Sequence, residues 1–373
     1  MAKYRIACLP GDGIGKDVMD AAMIVLDKMK LDAEYAYGDV GWEFWKSEGN
    51  ALPERTLDLL KNTDCCLFGA ITSKPKGDAG KELSPELKGK GYVYHSPIIK
   101  LRQGFNLHTN MRPCKAYKGN LLNLRDDIDL VIFRENTEGL YSGVEYYPLP
   151  AELMDILAKH PQMKRFTSVP LEDIALACRI ITRKGARSII RQAFEYAKKY
   201  GRKSVTLVEK PNVLRETSGL MLREARKIAQ EYPGIELIEV NIDAMCMWLI
   251  KNPQNYEVLA CSNLFGDIIS DLCAQLVGSL GFAPSANIGD KYAIFEPSHG
   301  SAPKYAGQYK VNPMAMLLTV KLMLDYLNEN KLASQLEESI SRVIDEGKVR
   351  TYDMGGDAST LEVAEEIAKK LGI

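Results

Sequence analysis

The sequence predicts a soluble α/β protein with two domains, and three observations carry that prediction. The first is the length, because 373 residues correspond to two domains of ordinary size or to one large α/β unit. The second is the composition, because 46% hydrophobic and 26% charged residues lie close to globular averages and exclude disordered and fibrous proteins. The third is the alternation of short apolar runs with longer segments of helical period.

The alternation begins with a strand, a glycine turn and a helix, and it continues through most of the chain. Apolar runs predict strands at residues 4–9, 65–68, 130–133, 204–208, 235–240 and 258–261. Helical periods predict helices at residues 16–29, 187–200 and 219–231, with two or three more after residue 313. Several prolines in and just after residues 146–169 interrupt the pattern, which indicates an insertion or arm.

Charge and cysteine usage exclude several kinds of partner. Lys and Arg total 48 against 49 Asp and Glu, so the net charge of -1 offers no basic surface for nucleic acid. No apolar run approaches the roughly 18 residues of a membrane span and no signal peptide is recognisable, so we expect a cytoplasmic protein. Eight scattered cysteines without a CxxC pair, and only four histidines, disfavour disulfides and zinc sites.

A glycine-rich turn follows the first predicted strand. Gly11, Gly13 and Gly15 precede Lys16, but their spacing matches neither the GxGxxG dinucleotide motif nor the GxxxxGK phosphate loop. We therefore interpret the segment as a tight strand-to-helix turn that needs glycine dihedral angles. A nucleotide, if bound, need not bind as it does in a Rossmann fold.

Two carboxylates four residues apart follow the predicted strand 258–261. Asp267 and Asp271 would lie one turn apart on a helix face, where like charges repel unless a cation offsets them. A third carboxylate, Asp243, stands in an apolar segment. Three aspartates without histidine suit Mg²⁺ or Mn²⁺, which prefer oxygen ligands. Helix capping and surface charge are the alternative interpretation.

Four cationic side chains stand beside apolar segments. Arg102, Arg112 and Arg134 would grip carboxylates from strand ends or turns, although single arginines usually form surface salt bridges. Lys210 follows the predicted strand 204–208 and would act as a base only where its surroundings favour the neutral amine. Otherwise it is an exposed lysine at a strand end.

Four longer segments resemble the β-decarboxylating dehydrogenases, a family that includes the isocitrate, homoisocitrate, 3-isopropylmalate and tartrate dehydrogenases. They are residues 134–143 (RENTEGLYSG), 263–271 (NLFGDIISD), 284–289 (PSANIG) and 295–303 (FEPSHGSAP). The resemblance implies the isopropylmalate/isocitrate dehydrogenase fold: α/β, two-domain and non-Rossmann, with a clasp arm for dimerisation. The large domain would contain residues 1–107 and 277–373, the small domain residues 108–140 and 183–276, and the clasp residues 141–182.

The resemblance also implies catalytic roles in a homodimer with shared active sites. Three arginines would bind the carboxylates of a small-molecule malate unit: Arg102, Arg112 and Arg134. Three aspartates would hold Mg²⁺ or Mn²⁺: Asp267, Asp271 and Asp243 of the partner subunit. Lys210, also expected from the partner, would take the hydroxyl proton, and Tyr141 would protonate the enolate left by decarboxylation.

The segment around Lys210 departs from the family pattern. It reads Glu209-Lys210-Pro211-Asn212, whereas the family usually has His or Asp before the lysine and a small residue after it. Asn212 would contact the substrate. Glu209 and Pro211 would change the placement of the lysine.

The residues at the implied nucleotide site favour NADP, with NAD as the alternative. The resemblance places His299 and Asn312 against adenine. Lys304 stands where NAD-dependent members generally carry Asp, and with Tyr305 and Tyr352 it would meet the 2′-phosphate. The remaining implied cofactor contacts are Thr72, Gly300 and Val311. One departure is Gly356, where NADP-dependent isocitrate dehydrogenases tend to carry Arg.

Substrate choice depends on the segment before Arg102. Ser96 is retained from the isocitrate pattern, but Ile98 replaces the Asn that meets the distal carboxylate there. Ile98 and Ile99 suit an isopropyl group, whereas the Ser-Pro-Ile-Ile segment beside His95 is similar to some homoisocitrate enzymes. We expect isocitrate, oxidised to 2-oxoglutarate and CO₂ in the tricarboxylic acid cycle. The alternatives are homoisocitrate, 3-isopropylmalate and a non-catalytic regulatory subunit, which the retained catalytic residues disfavour.

Overall fold

The computed structural model of the protein describes residues 2–372, apart from the side chain of Lys76, and has the predicted mixture of strands and helices. The strands are β1 (Tyr4–Gly11), β2 (Ala33–Tyr37), β3 (Cys65–Ala70), β4 (Thr109–Lys115), β5 (Asp129–Glu135), β6 (Glu145–Tyr146), β7 (Leu176–Ala177), β8 (Ser204–Glu209), β9 (Glu236–Asn241), β10 (Val258–Cys261), β11 (Pro284–Ile288) and β12 (Ala293–Pro297). The helices are α1 (Ile14–Met29), α2 (Trp42–Glu48), α3 (Glu54–Lys61), α4 (Lys76–Lys81), α5 (Pro97–Gly104), α6 (Ala151–Leu157), α7 (Arg183–Lys199), α8 (Thr217–Ala229), α9 (Ile242–Lys251), α10 (Asn263–Leu276), α11 (Met314–Tyr326), α12 (Asn330–Glu346) and α13 (Thr360–Lys370).

Ten strands form one continuous sheet in the order β2-β1-β3-β12-β11-β4-β5-β10-β8-β9. Three neighbouring pairs in the middle of the sheet are antiparallel: β12–β11, β11–β4 and β4–β5. All other neighbouring pairs of this sheet are parallel. Parallel strands covered by helices are buried on both faces and read as continuous apolar runs. This explains why β3 and β8, which are buried at every residue, were detectable from the sequence.

Separate hydrophobic cores lie on the two flanks of the sheet. Residues of α1, α11, α12 and α13 pack together on the flank of β1 and β3. Residues of α7 and α8 pack on the flank of β5, β8 and β10. The adjacent strands β11 and β4 belong to the predicted large and small domains, and the sheet is continuous between them. The proposed division at residues 107/108 and 276/277 stays a prediction.

The predicted strands and helices are present, with ends shifted by at most a few residues, and three helices follow residue 313. Four strands of the main sheet were not predicted: β2, β4, β11 and β12. In β4 and β11 the reason is visible, because polar residues alternate with apolar ones and interrupt the apolar run. These polar side chains line the site described below.

A tight turn and a segment outside the main sheet complete the architecture. Gly11 has a φ of +73°, and a Cβ there would lie 2.0 Å from the carbonyl oxygen of Ala70, so the interpretation of a tight strand-to-helix turn is confirmed. Residues 141–182 contain α6 and the two-stranded sheet β6–β7, outside the main sheet. Within residues 2–372 no helix is long and apolar enough to cross a membrane.

Candidate active site

The three arginines predicted to bind carboxylates come together on one face of the central strands. Arg112 lies in the middle of β4, Arg134 lies near the end of β5, and Arg102 lies in α5. The prediction of strand ends or turns was therefore wrong for Arg102 and Arg112. Burial, followed by the charges of Arg112 and Arg102, lowers the pKa of Arg134 to about 10, so the three guanidinium groups act on one another.

The strand register explains how residues distant in sequence meet here. Asn110 of β4 lies directly opposite Arg134 of β5 on one side and opposite Asn287 of β11 on the other. Residues directly opposite in an antiparallel sheet point to the same face. The polar positions of three antiparallel strands therefore share one face of the sheet.

Buried amides and a carboxylate hold two of the arginines in place. Arg102 donates from Nε to Asn287 Oδ1 and from Nη2 to Glu296 Oε1, each at 3.0 Å. Arg112 donates from Nε to Asn110 Oδ1 at 2.7 Å. Sequence reasoning missed these three partners as site residues, although Asn287 and Glu296 lie within the segments that carry the family resemblance.

Arg134 is almost completely enclosed, with 1% of its surface exposed. Its Nε and Nη2 donate to Asn263 Oδ1 at 2.9 and 2.8 Å, and its Nη1 pairs with Asp267. Gly266 makes this packing possible, because a Cβ at that position would lie 2.7 Å from the Cβ of Arg134. Arg134 is thus fixed in direction and presents its charge beside Asp267.

The carboxylates of Asp267 and Asp271 both lie on α10, one turn apart, as predicted. Arg112 contacts both, with Nη2 3.6 Å from Asp267 Oδ1 and Nη1 3.4 Å from Asp271 Oδ1. Burial raises the pKa of Asp267, but Arg134, Tyr141 and Arg112 outweigh it and the net pKa lies below the ordinary value. For Asp271 burial dominates, and the pKa is raised despite Arg112.

Tyr141 stands at the edge of this charge cluster. Its hydroxyl donates to Asp267 Oδ2 at 2.5 Å, and the guanidinium carbon of Arg134 lies 5.0 Å from the centre of its ring. Burial and the hydrogen bond to Asp267 raise the pKa of Tyr141 above its ordinary value. The phenol therefore keeps its proton at neutral pH and is able to donate it.

Lys210 follows β8, as predicted, and forms an ion pair with Asp243 of α9. Hydrogen bonding from Lys210 lowers the pKa of Asp243. The apolar segment around Asp243 does not bury its side chain, which is 67% exposed. Within residues 2–372, Asp243, Asp267 and Asp271 do not form one metal-ligand group. Their joint role, with Asp243 and Lys210 reaching the site of a partner subunit, stays a prediction.

Glu209, one of the departures from the family pattern, is buried, and both of its carboxylate oxygens accept hydrogen bonds. It accepts hydrogen bonds from Arg179 Nη2 at 2.9 Å, from Ser218 Oγ at 2.5 Å and from the backbone N–H of Ser262 at 3.0 Å. The backbone N–H of Lys210 also reaches Ser218 Oγ, at 3.3 Å. Glu209 thus joins the predicted clasp segment to the backbone that carries Lys210.

The residues predicted for the nucleotide gather around the loop between β12 and α11. Buried His299 Nε2 has no hydrogen-bond partner among residues 2–372, and burial lowers the pKa of His299, so its imidazole is neutral. Lys304 Nζ lies over the Tyr305 ring, 4.6 Å from its centre, and the Tyr305 and Tyr352 rings are 6.0 Å apart. An unpaired buried imidazole nitrogen and an exposed cation among phenols fit a nucleotide that carries phosphate.

The other predicted cofactor contacts occupy the same region. Thr72 Oγ1 lies 2.7 Å from Ser301 Oγ, next to exposed Gly300. The Asn312 amide donates to Asp353 Oδ2 at 3.1 Å, next to buried Val311. Their contacts with a cofactor stay predictions.

The predicted substrate residues outside the arginine cluster are more exposed. Ser96 occupies the N-cap position of α5 without making a capping hydrogen bond. Ile98 lies one turn before Arg102 on the same face of that helix. Asn212 is exposed in the turn after β8. The structure gives Ser96 and Asn212 no side-chain hydrogen bond within residues 2–372, and their substrate contacts stay predictions.

The metal prediction is compatible with the donors on α10. Two carboxylates one turn apart offer the oxygen ligands that Mg²⁺ and Mn²⁺ prefer. Partial burial and the neighbouring charge of Asp267 raise the pKa of Asp271, whose side chain is 62% exposed, and a bound divalent cation would offset the repulsion between the two carboxylates. Asp267 and Asp271 would therefore hold the metal from this chain.

A comparison with protein families defines the class of the molecule. Residues 5–367 match the model of the isocitrate/isopropylmalate dehydrogenase family, so the chain belongs to that family. The family consists of decarboxylating dehydrogenases that use a nicotinamide cofactor and a divalent metal, and the chain is therefore an enzyme of this class. The predicted fold and family are confirmed.

Individual relatives carry several substrate names. The 3-isopropylmalate dehydrogenase of Methanothermobacter thermautotrophicus is 42% identical, covering 100% of this chain and 99% of that protein. The isocitrate/homoisocitrate dehydrogenase of Thermus thermophilus is 38% identical, covering 99% and 98%. Protein DlpA of Legionella pneumophila is 41% identical over 97% of this chain, which spans only 58% of DlpA. The crystal structure of isocitrate dehydrogenase from Methylococcus capsulatus has a TM-score of 0.85 and 36% identity, covering 99% of both chains.

Proposed function

We propose that this protein catalyses the metal-dependent oxidative decarboxylation of a 3-substituted malate, with isocitrate as substrate and NADP as oxidant. The observation that carries the proposal is the convergence of Arg102, Arg112 and Arg134 beside Asp267 and Tyr141. Three mutually repelling guanidinium groups in one buried place suit a ligand with several carboxylates. A proton donor and a carboxylate pair stand beside them.

In the proposed mechanism the chain binds, orients and exchanges protons. The arginines hold the substrate carboxylates, which fixes the hydroxyl-bearing carbon in one orientation. Lys210 of the partner subunit takes the hydroxyl proton, and Tyr141 returns a proton to the carbon that loses CO₂. A divalent cation bound by the aspartates would stabilise developing negative charge, and the nicotinamide would accept hydride.

The choice of NADP rests on the surroundings of Lys304. Its ammonium group is exposed and lies beside Tyr305, whose pKa is lowered by Tyr352 and by Lys304. A cation and phenol donors complement the dianionic 2′-phosphate of NADP, whereas NAD has only hydroxyl groups at that position. NAD is the alternative cofactor.

The choice of isocitrate rests on Ser96 and on the NADP-type surroundings. Ile98 and exposed Ile99 support the alternatives, because apolar side chains at the entry of α5 suit a longer or branched substituent. Homoisocitrate and 3-isopropylmalate are therefore the competing substrates. All eight cysteines are free, which supports the proposed reducing, cytoplasmic setting.

The proposed homodimer rests on an exposed apolar surface on α9 and α10. Met247, Ile250 and Ile268 are each more than half exposed, with Trp248 beside them. Such patches mark interaction surfaces in water-exposed proteins. Asp243 lies on the same helix as Met247 and Trp248, so a second copy seated there would receive Asp243 and Lys210 near its own site.

The deciding experiment measures NADP and NAD reduction by absorbance with isocitrate, homoisocitrate, 3-isopropylmalate and tartrate, each with Mg²⁺, with Mn²⁺ and with chelator. We expect chelator-sensitive NADPH production from isocitrate. Preference for homoisocitrate or 3-isopropylmalate would reject isocitrate and assign specificity to Ile98 and Ile99. No turnover with any of the four would reject the whole proposal.

A further inference from the structure

A cleft of about 480 Å³ opens on the face of the central sheet opposite the arginines. Met111 and Pro113 of β4, Phe133 of β5 and Phe295 of β12 line it. Their neighbours in sequence, including Arg112 and Arg134, point to the active-site face because side chains alternate along a strand. The same strands thus present the candidate active site on one face and this back cleft on the other.

The walls of the back cleft come from different hydrophobic cores. One wall is the last turns of α7, with Gln192, Tyr196 and Lys199. The other wall is α11, with Leu318 and Leu322. The helix α7 packs in the core around β5 and β8, and α11 packs in the core around β1 and β3. An occupant would touch both flanks of the sheet at once.

The floor of the back cleft is apolar and aromatic, whereas its rim carries charged side chains, most of which are already paired. Lys321 binds Asp325 at 3.0 Å and Glu337 at 3.3 Å, and Lys115 binds Glu337 at 2.6 Å. Lys199 differs: its Nζ lies over the Tyr200 ring, 5.3 Å from the centre, and it forms no ion pair with a carboxylate of residues 2–372. The nearby Glu195 carboxylate accepts a hydrogen bond from the Tyr232 hydroxyl instead. The cleft therefore combines an apolar floor with Lys199 as its one cation without an ion pair among residues 2–372.

We propose that the back cleft binds a small monocarboxylate with a flat apolar body. The volume lies within the usual range for small-molecule sites, which are apolar with a few polar groups that fix orientation. The carboxylate pairs with Lys199, and the apolar body lies between Tyr196 and Leu318. The paired rim carboxylates of Asp325 and Glu337 disfavour a second negative charge on the ligand.

Occupation of the back cleft acts on substrate binding, a step that rests on the proposed function. The substrate contacts Arg112 and Arg134 on the β4–β5 side and Arg102, held by Glu296, on the β12 side. A ligand bound in the back cleft between α7 and α11 would fix the distance between the β4–β5 side and the β12 side from the opposite face of the sheet. Because coupling between two sites is reciprocal, substrate changes the affinity for the ligand by the same factor.

The test uses 2-naphthoate as the probe and measures its binding by calorimetry to the full chain without substrate, metal or cofactor. We expect one saturable site per chain. Lys199→Gln should weaken binding about tenfold, the loss of one charge-assisted hydrogen bond. Gln192→Trp, which fills the mouth of the cleft from an exposed position, should abolish it. Lys198→Gln is the matched control, since this neighbouring lysine does not line the cleft.

Each other outcome overturns a stated part of the proposal. Absence of saturable binding, or equal affinity in Lys199→Gln and Lys198→Gln, would overturn the site. Loss of binding in Arg112→Gln with retention in Gln192→Trp would place the probe among the active-site arginines instead. An unchanged probe affinity when isocitrate is added would overturn the coupling but not the site. Binding is measured without turnover, so a failed catalytic assay does not affect it.

Discussion

At the scale of single residues, the protonation states in the candidate active site depend on the contacts of one carboxylate, that of Asp267. Asp267 accepts from Arg134 and from Tyr141, and Arg112 lies 3.6 Å away. The same contacts keep the carboxylate ionised and the phenol protonated. Charge on one side chain therefore sets the protonation state of the next.

Replacing Asp267 with Asn should abolish metal-dependent turnover while the chain stays folded. The amide removes one negative oxygen ligand and leaves Arg134 without its counter-charge, and we expect kcat to fall by about 100-fold or more. The measurement is NADPH production against Mg²⁺ concentration, with circular dichroism as the folding check. Asp155→Asn, on exposed α6, is the control. Unchanged turnover in Asp267→Asn would remove Asp267 from the metal site.

Replacing Lys304 with Asp should move cofactor preference from NADP toward NAD. The acidic side chain repels the 2′-phosphate and accepts hydrogen bonds from ribose hydroxyls, a change of about 10–100-fold in the ratio of kcat/KM values. The nearby exposed Lys310→Asp variant tests whether any acidic residue on this loop has that effect. An unaltered ratio in Lys304→Asp would exclude contact with the 2′-phosphate.

At the scale of secondary structure, close contact between α10 and β5 brings the site together. Gly266 allows the helix to approach Arg134, and Asn263 in the first turn of the same helix binds the guanidinium group. At the residue just before α10, Ser262 donates its backbone N–H to buried Glu209, which also accepts from Arg179 and so ties the end of β8 to both. The sequence departure at Glu209 is thus compensated by partners that only the fold brings near.

Replacing Gly266 with Ala should misplace Arg134 and destabilise the fold. The added methyl group would sit 2.7 Å from Arg134 Cβ, and overpacking of this kind costs about 1–3 kcal/mol. A misplacement of Arg134 by about 1 Å would lower kcat/KM by about 100-fold. Thermal unfolding and kinetics measure the two effects. Gly80→Ala, where a Cβ meets nothing within 4 Å, should change neither; a normal kcat/KM in Gly266→Ala would contradict the proposed role of Arg134.

At the scale of the whole molecule, the central antiparallel strands connect two parallel flanks with separate cores. The residues proposed to bind substrate come from both sides of these central antiparallel strands. Lys210 and Asp243 pair with each other beside the exposed apolar surface of α9. The proposed sharing of the active site between two copies would account for both observations.

Subunit mixing tests whether the site is shared. Lys210→Met and Asp267→Asn should each be inactive, but a re-associated equal mixture should recover about a quarter of wild-type activity, because half the dimers are mixed and each has one intact site. The readout is NADPH production after mixing under dissociating conditions. Each variant carried alone through the same treatment is the control. No recovery despite proven subunit exchange would show that Lys210 and Asp267 serve the same chain's site.

Most strands and helices were predictable because burial and helical period leave a pattern in short stretches of sequence. The apolar runs of β3, β8 and β10 and the helical period of α1, α7 and α8 follow from burial, and the spacing of Asp267 and Asp271 gave their common helix face. Strands β4 and β11 escaped prediction because half of their side chains are polar and face the site.

The sequence by itself determined the α/β class, the family and the chemical identity of the candidate side chains, since these depend on residue type and short-range spacing. Only the tertiary structure decided which of them meet. Arg102 reaches Glu296 across 194 positions, and Asn110 holds Arg112 while it faces Asn287 of β11. These contacts depend on the order of the strands in the sheet. That order is set by packing between segments distant in sequence, so it cannot be predicted from short sequence patterns.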